Sequence, residues 1–258
     1  MMEVHEDRPQ FTGVAGRVAR GATANSVVRA LLAMALLACV HHAAAADEPL
    51  IEAAIVSVGN AEEDEAPASP TACFSAGFLT SVARETDIPV KRELTPVTLD
   101  DEALFDHPFL ILTGRGAWQF TDDQQAALRD FIDAGGFVLA SARCGDEAWS
   151  RSLRATIAAL HVAAGDDDGE DEPALAPLDM DHAIFSTLYE IDQVRLLDDD
   201  TPRALEGLER GGRLAVLFSP QGLNDGRNVS TACRCCDGSE IRNAQAINAN
   251  ALVYALTH

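Results

Sequence analysis

Cysteines are the residues of this sequence with the widest range of possible chemistry. Five of them follow residue 46, namely Cys73, Cys144, Cys233, Cys235 and Cys236. Thiolates bind soft metals and attack electrophiles, and paired thiols form disulfides. Five is an odd number for a fully paired set in an oxidising compartment. Either one thiol stays free, or the cluster binds a metal.

The first 46 residues predict export from the cytoplasm. Arginines, the last of them Arg29, precede the apolar run Ala30–Val40, and the alanines Ala43–Ala46 follow. A positive segment, a short apolar segment and small residues at the end are typical of a secretory signal. The apolar run is shorter than the roughly 20 residues that span a bilayer. The sequence therefore predicts a signal peptide over residues 1–46, and no transmembrane span in the mature chain.

A second type of processing is compatible with the same segment. Residues 36–39 have the sequence Leu-Leu-Ala-Cys, which is similar to a bacterial lipobox. In that case Cys39 carries a lipid anchor. Both alternatives predict a protein of the periplasm or the cell envelope.

The negative charge of the chain argues against polyanionic partners. The chain has 19 Lys and Arg against 41 Asp and Glu, which gives a formal net charge of −22. Phosphate backbones and anionic membrane surfaces repel such a protein, and the sequence has no basic stripe. We therefore expect no nucleic acid, and a protein or small molecule as the partner.

Strand and helix patterns alternate along residues 47–258. Apolar runs predict strands at 50–59, 109–113, 137–140 and 213–218, with a weak edge strand at 89–94. Apolar residues at three- and four-residue steps predict helices at 72–85, 121–134, 146–160 and 241–256. This alternation predicts one α/β domain with a mainly parallel sheet and helices on both faces. Two acidic stretches, 61–70 and 165–173, are expected to be loops.

Local signals define two helix starts and one helix end. Thr121 and Gln124 have the spacing of a capping box, and Asp146 is a second candidate N-cap. Gly135 and Gly136 follow the intervening helix at the position of a C-cap.

An ordered set of short motifs resembles a known bacterial family. Its members here are residues 112–116 (LTGRG), 135–140 (GGFVLA), 151–154 (RSLR), 178–182 (LDMDH), 205–208 (LEGL), 212–216 (GRLAV), 219–220 (SP) and 254–258 (YALTH). In this order they resemble the domain of unknown function 4159, from about Ile51 to His258. Segments 141–144 and 233–241 are similar to a planctomycete-type, single-domain branch. The resemblance implies a flavodoxin-like sheet of the class I glutamine amidotransferase type, with no established activity.

The predicted topology brings the cysteines to one edge of the sheet. Cys73 follows the first strand, Cys144 follows the strand at 137–140, and Cys233 to Cys236 follow the strand at 213–218. Ligands of doubly wound sheets bind at the carboxyl ends of the strands. We therefore expect the candidate site at this edge.

The cysteines at this edge have three possible roles. Zinc is one, because four thiolates make a tetrahedral site and Cys73, Cys144, Cys233 and either Cys235 or Cys236 would supply them. Disulfides are the structural alternative for an exported protein. Isolated buried or free thiols are the third.

Cys144 is also a candidate nucleophile. The resemblance puts it at the strand-to-helix turn that carries the amidotransferase nucleophile. A helix N-terminus lowers a thiol pKa, and Arg143 is an adjacent cation. A cysteine nucleophile needs a base within hydrogen-bond reach, for which His107 and His182 are the candidates.

Other binding candidates lie in loops. Arg115 between Gly114 and Gly116 exposes backbone N–H groups to an anion, or forms a tight turn that ends a strand. Arg143 and Asn224 complete the candidate set. We expect an exported, non-catalytic binding module, with a Cys144-dependent hydrolase or amidotransferase and a zinc-binding protein as alternatives.

Overall fold

A seven-stranded sheet is the frame of the computed structural model, which describes residues 49–59, 73–162, 175–226 and 240–258. The strands are β1 (Ile51–Gly59), β2 (Val90–Pro96), β3 (Phe109–Arg115), β4 (Phe137–Ala142), β5 (Ala176–Pro177), β6 (Glu206–Arg210) and β7 (Arg213–Ser219). Their order across the sheet is β2-β1-β3-β4-β7-β6-β5. The first five strands in this order run parallel, as the sequence predicts.

Alternating residues of the central strands face two separate cores. Ile55, Ile111 and Leu139 belong to one core, whereas Leu112 and Ala140 belong to the other. All of them are fully buried. The central strands are therefore apolar on both faces, which explains their continuous apolar runs in the sequence.

Helices cover both faces of the sheet. They are α1 (Gly77–Glu85), α2 (Asp122–Asp133), α3 (Glu147–Val162) and α4 (Ala244–Thr257). Buried residues of α1 and α4 lie in the first core, and those of α2 and α3 lie in the second. The model is thus an α/β structure with two helical layers.

The capping signals in the sequence are confirmed. Thr121 accepts a hydrogen bond from the Gln124 backbone, and the Gln124 side chain accepts one from Thr121 N, which forms a capping box. Asp146 Oδ1 accepts a hydrogen bond from Trp149 N at 2.8 Å at the start of α3. Gly135 follows the C-cap of α2 with φ of +102°, a conformation that favours glycine.

The far end of the sheet differs from a purely parallel arrangement. β6 pairs antiparallel with β7, and β5 pairs antiparallel with β6. The β6–β7 turn consists of Gly211 and Gly212, which have φ of +60° and +78°. Two positive φ angles suit the tight turn of a hairpin, so the chain reverses here without a crossover helix.

Several sequence predictions fall outside the described residues. They are the signal peptide over residues 1–46, the lipid anchor at Cys39, the acidic loops at 61–70 and 165–173, and Cys233, Cys235 and Cys236. These statements stay predictions. Across the four described stretches, no helix is long and apolar enough to cross a membrane.

Candidate functional site

The carboxyl ends of the parallel strands gather the described parts of the candidate site. Cys73 lies between β1 and α1, and Cys144 lies in the short 3₁₀ turn Arg143–Gly145 between β4 and α3. Residues 220–226 leave the end of β7. Because β1, β3, β4 and β7 are parallel neighbours, these segments share one edge of the sheet.

Asn224 joins these segments through a buried side chain. Its Nδ2 donates to the carbonyl of Cys73 at 2.8 Å, and its backbone carbonyl accepts from Ser75 N at 2.9 Å. Its Oδ1 accepts from the hydroxyl of Ser141 at 2.7 Å. Asn224 is only 1% exposed, so these bonds form in a dry environment. The candidate binding residue Asn224 thus has a structural position inside the edge.

Ser141 extends the same network to neighbouring strands. Its hydroxyl accepts from Leu223 N at 2.8 Å, and its carbonyl accepts from Thr113 Oγ1 at 2.9 Å. From the other side, Asn248 Nδ2 of α4 donates to the carbonyl of Leu223 at 2.9 Å. Two strand ends, the segment after β7 and a helix are therefore held together without any sulfur atom.

Glu240 holds the end of the same segment. Gly226 N donates to Glu240 Oε2 at 2.6 Å, and Ile241 N donates to the carbonyl of Gly222 at 3.0 Å. Glu240 is buried, so its carboxylate fixes the chain on both sides of residues 227–239.

The turn that carries Cys144 has an uncommon backbone. Cys144 has φ of +57° and ψ of +25°, the left-handed region, and Gly145 follows at φ +68°. A residue with a Cβ rarely adopts this region. Asp146 then caps α3. The result is a sharp turn from the end of a buried strand into a helix.

Cys73 and Cys144 are both disulfide-bonded. A sulfur in a disulfide is neither a thiolate nucleophile nor a zinc ligand, because both roles need a reduced sulfur. Among the described residues, no group of three or more His, Cys, Asp and Glu side chains is arranged to hold a metal ion. The catalytic role of Cys144 and the zinc site thus concern a reduced form, and they stay predictions.

A cleft of about 550 Å³ opens beside Cys144. Its described lining residues come from the Cys144 turn, the first turns of α3, the segment before β6 and the end of β7: Cys144, Gly145, Glu147, Ser150, Arg151, Arg154, Leu196, Pro220 and Gln221. Gln221 Oε1 is a buried atom that has no hydrogen-bond partner within the described part of the chain. The cleft therefore combines two guanidinium groups, an amide and the half-buried residue Cys144.

The two arginines of the cleft have different partners. Arg154 donates to both carboxylate oxygens of Glu206, and its guanidinium lies 5.1 Å from the ring centre of Phe218. The hydrogen bond to Glu206 raises the pKa of Arg154. Arg151 forms a longer pair with Glu147, at 3.8 Å, between side chains that are 71% and 91% exposed. Arg151 is thus the more exposed of the two arginines, since the Arg154 side chain is 43% exposed.

The candidate bases lie at the opposite edge of the sheet. His107 comes two residues before Phe109, at the amino end of β3, and is buried there. The ring of His182 lies 5.7 Å from that of Tyr254, whose hydroxyl accepts from Leu214 N at the start of β7. Neither histidine meets Cys144, because parallel strands separate their amino and carboxyl ends by the length of the sheet.

The Gly114–Gly116 segment differs from its expected position after a strand. Gly114 and Arg115 belong to β3 and pair with Val58 and Gly59. A Cβ on Gly114 would lie 1.7 Å from the carbonyl oxygen of Val58. Gly114 is therefore needed for the close approach of β1 and β3, and only Gly116 lies beyond the strand.

Three polar residues of the cleft, Arg151, Arg154 and Gln221, were not predicted as binding residues from the sequence. For the two arginines, the helical spacing of the sequence could have indicated their position. Glu147, Arg151 and Arg154 follow one another at helical steps of four and three residues, which puts them on one face of α3. Gln221 had no such signal, because its position depends on the path after β7.

Comparison with known families gives a match over most of the chain. The model of the domain of unknown function DUF4159 matches residues 54–256. The chain belongs to the DUF4159 family. The DUF4159 match runs from within β1 into the last turn of α4, so it covers the sheet and the cysteine edge. No curated protein matches the chain significantly.

Proposed function

We propose that this DUF4159 chain is an exported bacterial protein that binds a protein or small-molecule partner and does not catalyse a reaction. The binding surface is the cleft beside Cys144 at the carboxyl edge of the sheet. The disulfide state of Cys73 and Cys144 is the single observation that carries the proposal.

The disulfides support both export and binding. Disulfides form and persist in oxidising compartments such as the periplasm, which agrees with a signal over residues 1–46. A bonded sulfur at the cleft is an inert part of its wall until it is reduced. The buried hydrogen bonds of Asn224 and Ser141 add rigidity to the same edge. A rigid, preformed cleft lowers the entropic cost of binding.

The strand order supports the finer fold assignment. The parallel strands follow the order β2-β1-β3-β4-β7, which corresponds to the 2-1-3-4-5 order of flavodoxin-like folds. We assign the chain to the flavodoxin-like, class I glutamine amidotransferase-like architecture and to the planctomycete-type branch that its motifs resemble. Ligands of such sheets bind at the carboxyl ends of the strands, where the cleft is.

Arg151 determines which partners the cleft prefers. It is the more exposed of the two arginines among the described residues of the cleft, in a chain of net charge −22, and its pair with Glu147 is long and exposed. Exposed pairs of this kind contribute little energy, so a ligand carboxylate replaces Glu147 at small cost. The preferred partner thus presents a carboxylate.

Thermal unfolding with a panel of carboxylate-bearing peptides and small acids tests this function. We expect members of the panel to raise the melting temperature of the wild type and of an R92E variant, but not of R151E. Arg92 is exposed on β2 and gives a matched charge reversal away from the cleft. Equal shifts in R151E, or no shift with the whole panel, would contradict the proposal.

Export has its own experiment. Residues 1–46 are fused to a reporter that is active only in the periplasm, and the N-terminus of the secreted product is sequenced. Cleavage before Asp47 supports the signal peptide, and a lipid-modified Cys39 supports the lipoprotein alternative. If the reporter is inactive because the fusion stays in the cytoplasm, export is contradicted.

A Cys144-dependent hydrolase or amidotransferase is the second candidate. The left-handed backbone of Cys144 between a strand and a helix favours it, because nucleophiles of α/β hydrolases lie on similarly sharp turns. Reduced wild type and C144A are compared for release of product from ester and amide members of the panel. Release that needs Cys144 overturns the binding-only proposal.

Zinc binding by reduced cysteines is the third candidate. Elemental analysis of periplasmic protein, together with a count of titratable thiols, separates it from the disulfide form. One metal per chain with few titratable thiols supports zinc. Intact disulfides without metal support the binding module.

A further inference from the structure

The described wall of the cleft carries charges of both signs. Arg154 is fixed, because it forms two hydrogen bonds with Glu206, which is 16% exposed at its side chain, and lies over the ring of Phe218. Arg151 and Glu147 instead form a contact of 3.8 Å between side chains that are 71% and 91% exposed. A ligand therefore meets one fixed ion pair and one pair that opens at small cost.

We propose that the cleft binds a small zwitterion, in which a short apolar chain joins a carboxylate to an ammonium group, as in an amino acid. The carboxylate pairs with Arg151, and the ammonium group pairs with Glu147. This inference rests on the proposed function, because it names the class of ligand for the same cleft.

The Arg151–Glu147 pair favours a zwitterion over a simple acid. A ligand that has only a carboxylate takes Arg151 from Glu147 and brings a second negative charge close to the Glu147 carboxylate. Like charges side by side are unfavourable. An ammonium group on the same ligand gives Glu147 a new partner, so that every charge of the opened pair is matched.

The charge of the whole chain acts in the same direction. A net charge of −22 repels small anions from the protein as they approach. A zwitterion has no net charge and does not meet this repulsion. Leu196 and Pro220, which line the same cleft, provide apolar contacts for the methylene groups between the two charges of the ligand.

Gln221 provides a second acceptor for the ammonium group. The residue is half-buried in the cleft wall, and its Oε1 has no hydrogen-bond partner in the stretches that the structure describes. A buried acceptor without a partner costs free energy. A ligand N–H that draws the amide toward the cleft removes this cost. A carboxylate cannot do so, because it only accepts hydrogen bonds.

Titration of the oxidised, ¹⁵N-labelled protein with butyrate and with 4-aminobutyrate tests the proposal, with the Arg151 Nε–H signal as the readout. The two ligands share one carbon chain and differ in the ammonium group. We expect 4-aminobutyrate to bind about two- to fivefold more tightly than butyrate. Equal affinities would overturn the zwitterion preference and leave the carboxylate-binding cleft standing. No saturable shift with either ligand would overturn both.

Replacement of Glu147 by glutamine tests the ammonium position. In E147Q the ratio of the two affinities should fall toward one, because butyrate no longer lies beside a carboxylate and 4-aminobutyrate loses its ion pair. E93Q is the matched control, since it removes an exposed carboxylate on β2 and should keep the wild-type ratio. An unchanged ratio in E147Q would overturn the proposal.

Replacement of Gln221 by methionine removes the amide acceptor and keeps a similar side-chain length. We expect Q221M to bind 4-aminobutyrate more weakly than the wild type and to bind butyrate equally well. An equal loss for both ligands would overturn the role of Gln221 as the acceptor of the ammonium group.

Discussion

Asn224 donates its side-chain amide to the carbonyl of Cys73, 2.8 Å away and 151 residues earlier in the chain. This bond joins the segment that follows the first strand to the segment that follows the last parallel strand. Since Asn224 also accepts from Ser141, one side chain connects three parts of the carboxyl edge. The edge is therefore built around a buried amide as well as around disulfides.

Replacing Asn224 by alanine removes this connection. The carbonyl of Cys73 and the hydroxyl of Ser141 lose partners in a buried environment, where an unsatisfied group costs about 1–3 kcal/mol. We expect N224A to lower the free energy of unfolding in urea by about 2–3 kcal/mol. N243A is the control, because Asn243 makes an exposed bond to the Gln193 carbonyl. A loss in N224A no larger than that in N243A would show that the amide is not needed.

The backbone of Cys144 gives a prediction that is independent of its sulfur. C144A and C144G both lack the disulfide, but only alanine has a Cβ in the left-handed region at φ +57°. That conformation costs a residue with a Cβ about 1–2 kcal/mol. In urea denaturation, C144G should therefore be more stable than C144A by about 1 kcal/mol. The reverse order would indicate that the turn relaxes when the disulfide is absent.

Gly114 tests the close approach of β1 and β3. A Cβ there would lie 1.7 Å from the carbonyl oxygen of Val58, which is backbone and cannot turn away. We expect G114A to lose at least about 3 kcal/mol of stability or to yield no soluble protein. G211A is the comparison, because the Cβ of that variant meets no described atom within 4 Å beyond its own residue and its two chain neighbours. In G211A the only cost is the positive φ at position 211, which strains a residue with a Cβ by about 1 kcal/mol.

Glu52 gives a pH-dependent contribution to stability at the β1–β2 edge. Hydrogen bonds from Thr95 and Lys91 lower the pKa of Glu52 below its ordinary value of 4.5. A lowered pKa in the folded state stabilises the fold above pH 4.5, and this contribution is lost as the pH falls through the folded pKa. The pair is about one-third exposed, so the contribution is small.

The measurement compares urea midpoints from pH 2 to pH 7. E52Q should be less stable than wild type at pH 7 by no more than about 1 kcal/mol, and equal to it at the acid end. E93Q on the neighbouring strand β2 is the control for the charge change. A difference between E52Q and wild type that persists unchanged to pH 2 would contradict the assignment.

Features set by neighbouring residues could be predicted from the sequence. The apolar runs of the central strands, the capping box of Thr121 and Gln124 and the Asp146 cap depend on residues only a few positions apart. The parallel core of the sheet followed from the alternation of strands and helices. That alternation also placed Cys73 and Cys144 on one edge correctly, because parallel strands all end on the same side.

Only the tertiary structure decided the features that depend on distant segments. The sequence alone left open whether Cys73 and Cys144 are reduced, and the histidines that it suggested as bases lie at the other edge. The sequence pattern did not show that Asn224 is a buried connector or that Gly114 lies inside a strand. Each of these depends on atoms that folding brings together from far along the chain, and local propensity carries no information about such contacts. The residue types determined which chemical groups are available, and the path of the chain determined which of these groups lie next to one another.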